Sequence, residues 1–155
     1  MVREENKVNR ENRENAKREW MRMEIESRSE NEEFARVAVA VFISRLDPTL
    51  EELNDIKTAV SEAVTNAVIH GYGEKEGIIY IETVIEGNDA IVSIRDTGAG
   101  ILNVEKAMEP MYTSDKTGER SGMGFSFMEA FMDRVDVKSE LGRGTTVTMK
   151  KKIGR

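Results

Sequence analysis

The sequence predicts an α+β protein, a two-layer α/β sandwich with one mixed sheet covered by helices on one face. Three observations lead there. Two stretches with helical apolar spacing come first, two pairs of strand-like runs follow, and a long glycine-containing loop separates the pairs. A length of 155 residues accommodates one domain with a proper core.

Residues 1–22 are mostly Asn, Glu, Arg and Lys, broken only by Val2, Val8, Ala16, Trp20 and Met21. Such a segment buries too little surface to offset its ordering entropy, so a disordered or loosely helical extension is expected, with the domain over 23–153. Ser29-Glu30-Asn31-Glu32 has the pattern of a capping box, and Phe34, Val37, Ala38, Val41 and Phe42 follow at helical spacing. A helix over about 30–46 is predicted. Asp47-Pro48-Thr49 ends it and begins a second, over about 50–69, with Leu53, Val60, Val64, Ala67 and Val68 near one stripe. His70-Gly71-Tyr72-Gly73 stops that helix. Strands are expected at 78–85 and 90–96, joined by Glu86-Gly87-Asn88-Asp89. The loop from Gly98 to Ser121 has helical character near 103–108. A short helix over 125–131 and strands at 134–139 and 145–151 complete the domain.

Composition narrows the function classes. Hydrophobic residues at 39% and charged residues at 34% describe a soluble globular chain. The longest apolar run, Val37–Ile43, falls far short of the ~20 residues a membrane span needs. The N-terminus is charged from Arg3 and lacks an apolar signal region, which predicts a cytoplasmic protein. There is no cysteine and one histidine, so cysteine-based or histidine-rich metal sites are excluded. The net charge of −6 divides into +2 on residues 1–22 and −8 on the rest. An acidic body disfavours nucleic acid, and a phosphate ligand would need local help from a cation, helix N-termini or placed arginines.

Four local patterns carry chemistry. Glu62, Asn66 and His70 lie within about 80° of one another on the second helix, opposite its apolar stripe. Asn offers a neutral oxygen to Mg²⁺ and Glu can take a hydroxyl proton, although a solvated helix face has the same look. Asp96-Thr97-Gly98-Ala99-Gly100 follows a strand whose Ala90, Val92, Ile94 and Asp96 share one face. A carboxylate at the end of an apolar face needs a donor, and a purine amino group is one; an ordinary turn is the plainer reading. Ser121-Gly122-Met123-Gly124-Phe125 opens a helix with free backbone N–H groups suited to an anion, preceded by Arg120, but it also fits any helix-start loop. Gly144-Thr145-Thr146 starts the last strand and says little alone.

In their order, these four patterns resemble the GHKL ATPase superfamily of gyrase, MutL and the histidine kinases. Glu62-x-x-x-Asn66 resembles its N box, and the segments at Asp96, Gly122 and Gly144 resemble its three glycine boxes, with 98–121 in the place of the ATP lid. The segments 29–36, 46–49, 60–72 and 119–125 are similar to the sporulation anti-sigma F family of serine kinases. That likeness runs from about Met23 to Lys151. The lid departs from it, with Met111-Tyr112-Thr113-Ser114-Asp115-Lys116 where relatives more often have Leu-Phe-Thr-Thr-Lys-Pro.

The resemblance implies a Bergerat-type ATP-binding fold, with Glu62 as general base and Asn66 as Mg²⁺ ligand. It implies that Asp96 holds the adenine amino group, with Gly98, Gly100 and Thr145 or Thr146 around the base. Gly122, Met123 and Gly124 would cradle phosphates, with Arg120 approaching the γ-phosphate; Thr113 and Ser121 would also bind the nucleotide, and Arg36 would touch protein partners. By the same likeness the protein is a homodimer that binds ATP or ADP with Mg²⁺ and holds sigma factor F in the ATP state. It would phosphorylate a serine of an anti-anti-sigma factor. A general-stress anti-sigma kinase has the same boxes but matches less of the chain, and a non-catalytic sigma-binding module would have no need of Glu62, Asn66 and Asp96.

Overall fold

In the computed structural model, which describes residues 18–109 and 124–154, the period-2 segments assemble into one five-stranded sheet. Its strands are β1 (Arg18–Glu26), β2 (Ile78–Glu86), β3 (Asp89–Asp96), β4 (Arg134–Glu140) and β5 (Gly144–Lys152), in the order β1-β2-β3-β5-β4. Every pairing is antiparallel, so the expected mixed sheet is corrected. β3 and β4 do run in the same direction. The β4–β5 hairpin, however, turns β5 back into the gap between them, where it pairs with both.

β1 was expected to be tail over its first half, since Arg18–Arg22 fall inside the charged extension. Met21, Met23 and Ile25 face the helices, while Trp20, Arg22 and Glu24 take the opposite face. The strand sits at the sheet edge, where charges are tolerated, and that conceals its alternation. Residues 1–17, the rest of the expected extension, lie outside the described residues.

Two helices cover one face, α1 (Glu30–Ile43), continued by a 3₁₀ turn at Ser44–Leu46, and α2 (Leu50–Asn66). The expected capping box at Ser29 does not form. Ser29 is itself helical, and Asn31 Nδ2 instead donates to the Glu26 carbonyl at 2.8 Å. The box forms at α2, where Glu52 N donates to Thr49 Oγ1 at 3.0 Å and Thr49 N donates to Glu52 Oε1 at 2.9 Å. Gly154 N donates to the other Glu52 oxygen, tying the C-terminal end to this cap. The Thr49 and Gly154 amides hold the Glu52 carboxyl below its ordinary value.

Ile56, Ala59, Val60, Ala63 and Val64 form the buried stripe of α2, against Val39 and Ile43 of α1 and the inner face of the sheet. Past Asn66 the helix widens into a π turn over Ala67–Gly71, closed by Tyr72 N donating to the Ala67 carbonyl at 2.9 Å. Two further helices follow β3: α3 (Val104–Ala107), capped by Asn103, and α4 (Gly124–Phe131), which packs on α2. The other face of the sheet carries the cross-strand row Trp20–Val84–Ile91, with Trp20 56% exposed.

Thr83, on the inner face of β2, is fully buried, and its hydroxyl has no partner among the described residues. An unmet buried hydroxyl costs about 1–3 kcal/mol. Thr83→Val keeps the shape and removes that cost, so the melting temperature should rise by roughly 2–4 °C for each kcal/mol regained. A thermal melt with no rise would mean that the hydroxyl is satisfied.

Candidate functional site

The inner face of β3 ends in a carboxylate. Ala90, Val92 and Ile94 are buried in the core, and Asp96, next in the alternation, is only 6% exposed. Gly98 N donates to Asp96 Oδ1 at 3.0 Å. Burial pushes the Asp96 carboxyl above its ordinary value, opposed by the Gly98 and Thr145 amides and by the charge of Arg95.

Glycines from three elements press on this residue. A Cβ on Gly71 would lie 2.7 Å from Asp96 Cγ, and one on Gly144 would lie 2.1 Å from the Asp96 carbonyl oxygen. A Cβ on Gly98 would lie 1.9 Å from the Gly71 carbonyl oxygen, to which Ala99 N donates at 2.8 Å. No side chain fits at these positions, so Gly71 closes directly on the carboxylate while Gly98 and Gly144 close on the backbone beside it. Gly100, at φ +74°, backs onto the Glu140 carbonyl, and Gly142 N donates to the Ala99 carbonyl at 2.7 Å. Ser139 Oγ accepts from Ile101 N at 2.7 Å and lies 2.7 Å from Thr145 Oγ1. The β4–β5 hairpin thus holds the loop that follows Asp96.

Of the two threonines expected at the site, Thr145 is brought there and Thr146 is not. Thr145 pairs with Asp96 across the ladder, whereas Thr146 pairs with Arg95 and belongs to the opposite face. A one-residue step along a strand reverses the face, so only Thr145 shares the face of Asp96.

The second cluster forms where α4 starts. A Cβ on Gly124 would lie 3.2 Å from both Asn66 amide atoms and 3.4 Å from Glu62 Oε2. Glu62 and Asn66 are half-buried on the side of α2 away from its apolar stripe. The bare backbone at the N-terminus of α4 therefore meets the polar stripe of α2, beside the neutral oxygen of Asn66 and the carboxylate of Glu62. Thr113, Arg120, Ser121, Gly122 and Met123, together with Lys116, lie outside the described residues. Arg36 sits on α1, half-buried and 3.8 Å from Glu33.

Three participants were not singled out from the sequence. Gly71 and Tyr72 were read only as a helix stop, and Ser139 as a strand residue. A glycine at a helix end is so common that its contact with Asp96 leaves no separate signal.

A family model described as a histidine kinase-like ATPase domain matches residues 25–151. Anti-sigma F factor from Clostridium kluyveri is 58% identical over 131 residues, covering 84% of this chain and 92% of that protein. Its counterpart from Geobacillus thermodenitrificans is 52% identical, covering 89% and 95%. The chain belongs to the anti-sigma F factor family. Among solved structures, the RsbU and RsbW domains of Rv1364c from Mycobacterium tuberculosis align at a TM-score of 0.65 and 19% identity, over 88% of this chain and 32% of that one. The catalytic domain of the histidine kinase ThkA aligns at 0.54 and 18%, over 87% and 96%. These two likenesses place this anti-sigma F family member in the histidine-kinase-like ATPase fold.

The Asp96 environment has a consequence for stability. A carboxyl whose native pKa is raised binds its proton more tightly folded than unfolded, so stability falls as pH rises through the native value. That loss is complete once the pH lies above the native value. Asp96→Asn keeps an oxygen for the Gly98 amide and removes the buried charge, so the ligand-free variant should melt higher than the wild type at pH 7. The gain should shrink as pH falls into the carboxylate range. Calorimetric melts across that range would contradict this if the variant were less stable at neutral pH.

Proposed function

We propose that the chain is an anti-sigma factor and protein-serine kinase that binds Mg-ATP or Mg-ADP between Asp96 and Gly124. The observation that carries this reading is the pairing of two glycine-lined clusters, a buried carboxylate at one and a Glu/Asn pair facing a helix N-terminus at the other. The first suits an adenine ring, whose amino group donates to Asp96 while Gly98, Gly100 and Thr145 give it close backbone. The second suits a polyphosphate. The α4 amides and the loop residues Thr113, Arg120, Ser121, Gly122 and Met123 would receive it, and Asn66 would give an oxygen to Mg²⁺.

When bound, Mg-ATP supplies the transferable phosphoryl group and neutralises its charge. The chain's own residues orient and protect it. Glu62 takes the proton of the attacking serine hydroxyl, and Asn66, one turn further along the same helix, holds a fixed spacing from it. The substrate in this reading is a serine of an anti-anti-sigma factor, and the captured partner is sigma factor F. Support for a protein-binding face comes from α1, where Phe34, Val37 and Val41 are exposed around Arg36. Trp20, exposed on the sheet face opposite the helices, supports a homodimer through that face. The proposed location is the cytoplasm, and among the described residues no helix is long and apolar enough to cross a membrane.

Transfer of labelled phosphate from ATP to the anti-anti-sigma factor tests the reading, with ATP-dependent capture of sigma factor F measured beside it. Glu62→Ala should lower transfer at least about a hundredfold, as expected for loss of a general base. Capture should persist, because the base is not needed for binding. Transfer at the wild-type rate would remove Glu62 from this role.

A further inference from the structure

We infer that Tyr72 is a positioning residue that sets the Asp96 carboxylate for adenine and so determines base selectivity; this rests on the nucleotide reading above. Tyr72 follows directly on the π turn that ends α2. Its hydroxyl accepts from Thr97 N at 2.9 Å, lies 3.2 Å from Thr97 Oγ1, and donates to the Ile78 carbonyl. A phenol has one hydrogen to give and two lone pairs, so all three capacities are used within the protein. None is left for a ligand, which makes the group a junction and not a contact.

The junction joins three segments. One is the end of the helix that carries Glu62 and Asn66. The second is the entry to β2, where Gly77 lies under the Tyr72 ring: a Cβ there would come within 2.5 Å of it. The Gly77 carbonyl in turn accepts from Ser27 N at 2.8 Å. The third is the Asp96–Thr97 peptide. With Thr97 N fixed by the phenol, the next amide, Gly98 N, is aimed back at Asp96 Oδ1. That bond occupies one carboxylate oxygen and fixes the direction of the other. Deleting the phenol oxygen frees the Thr97 peptide, and the carboxylate loses its fixed aim while its charge and burial remain.

Selectivity separates this role from a general loss of structure. ADP has a 6-amino donor for Asp96, whereas inosine diphosphate has an oxo acceptor there and gains nothing from a well-aimed carboxylate. The test is calorimetric titration of the full chain with Mg-ADP and with Mg-IDP, below each variant's melting range. The wild type should favour ADP by at least about tenfold, the value of a hydrogen bond to a charged group. Tyr72→Phe should lower ADP affinity about tenfold and leave IDP affinity within about twofold, so that the preference collapses. Gly77→Ala reaches the junction from the other side. Its backbone is outside the left-handed region, so alanine meets no φ penalty, but its methyl displaces the ring, and the preference should fall likewise. Retention of the wild-type ADP/IDP ratio in both folded variants would overturn the positioning role and leave the nucleotide reading standing. A wild type that binds ADP and IDP equally would overturn both.

Discussion

The buried carboxylate of Asp96 is the constraint on which the rest of the site depends. A charge at the end of an apolar strand face loses its water, and the raised affinity for a proton registers that cost. The fold offsets it with the Gly98 and Thr145 amides, which require backbone at van der Waals distance on several sides. Glycine at positions 71, 98 and 144 permits that approach. The same closeness ties together the end of α2, the loop after β3 and the start of β5. Three segments distant in sequence are thereby held about one residue.

The helix α2 links this constraint to the core and to the second cluster. Its apolar stripe is buried against α1 and the sheet, which fixes its rotation and leaves Glu62 and Asn66 on the side that meets Gly124. Its capping box anchors the first turn, and through Glu52 the same cap holds Gly154. The far end widens into the π turn that delivers Gly71 to Asp96 and Tyr72 to Thr97. One rigid element therefore spaces the two clusters.

Most of the architecture was legible in the sequence because its signals were local. Helical spacing marked α1 and α2, and alternation marked four of the five strands within a residue or so of their ends. The patterns at Asp96 and Gly124 were legible because unusual residue types stood at element ends, and that at Glu62 because a polar stripe ran opposite the apolar one on α2. What failed was non-local. The antiparallel arrangement depends on β5 inserting between β3 and β4, which no local pattern encodes. β1 was concealed because an edge strand tolerates Arg, Trp and Glu on its outer face. Thr145 and Thr146 are chemically identical, and only the register against β3 tells them apart. Ser29 carried the letters of a cap, but Asn31 serves the chain there instead.

Membership of the anti-sigma F factor family and the histidine-kinase-like ATPase fold agree with this geometry. The central claim is that Asp96 reads an adenine amino group. Titration calorimetry of the wild-type chain at pH 7 with Mg-ADP and Mg-GDP addresses it most directly, since guanine turns an acceptor oxygen toward the carboxylate. The account predicts one ADP per chain and GDP binding weaker by about a hundredfold, from a lost charged hydrogen bond and an unpaired buried carboxylate. Equal affinities for the two nucleotides would contradict it.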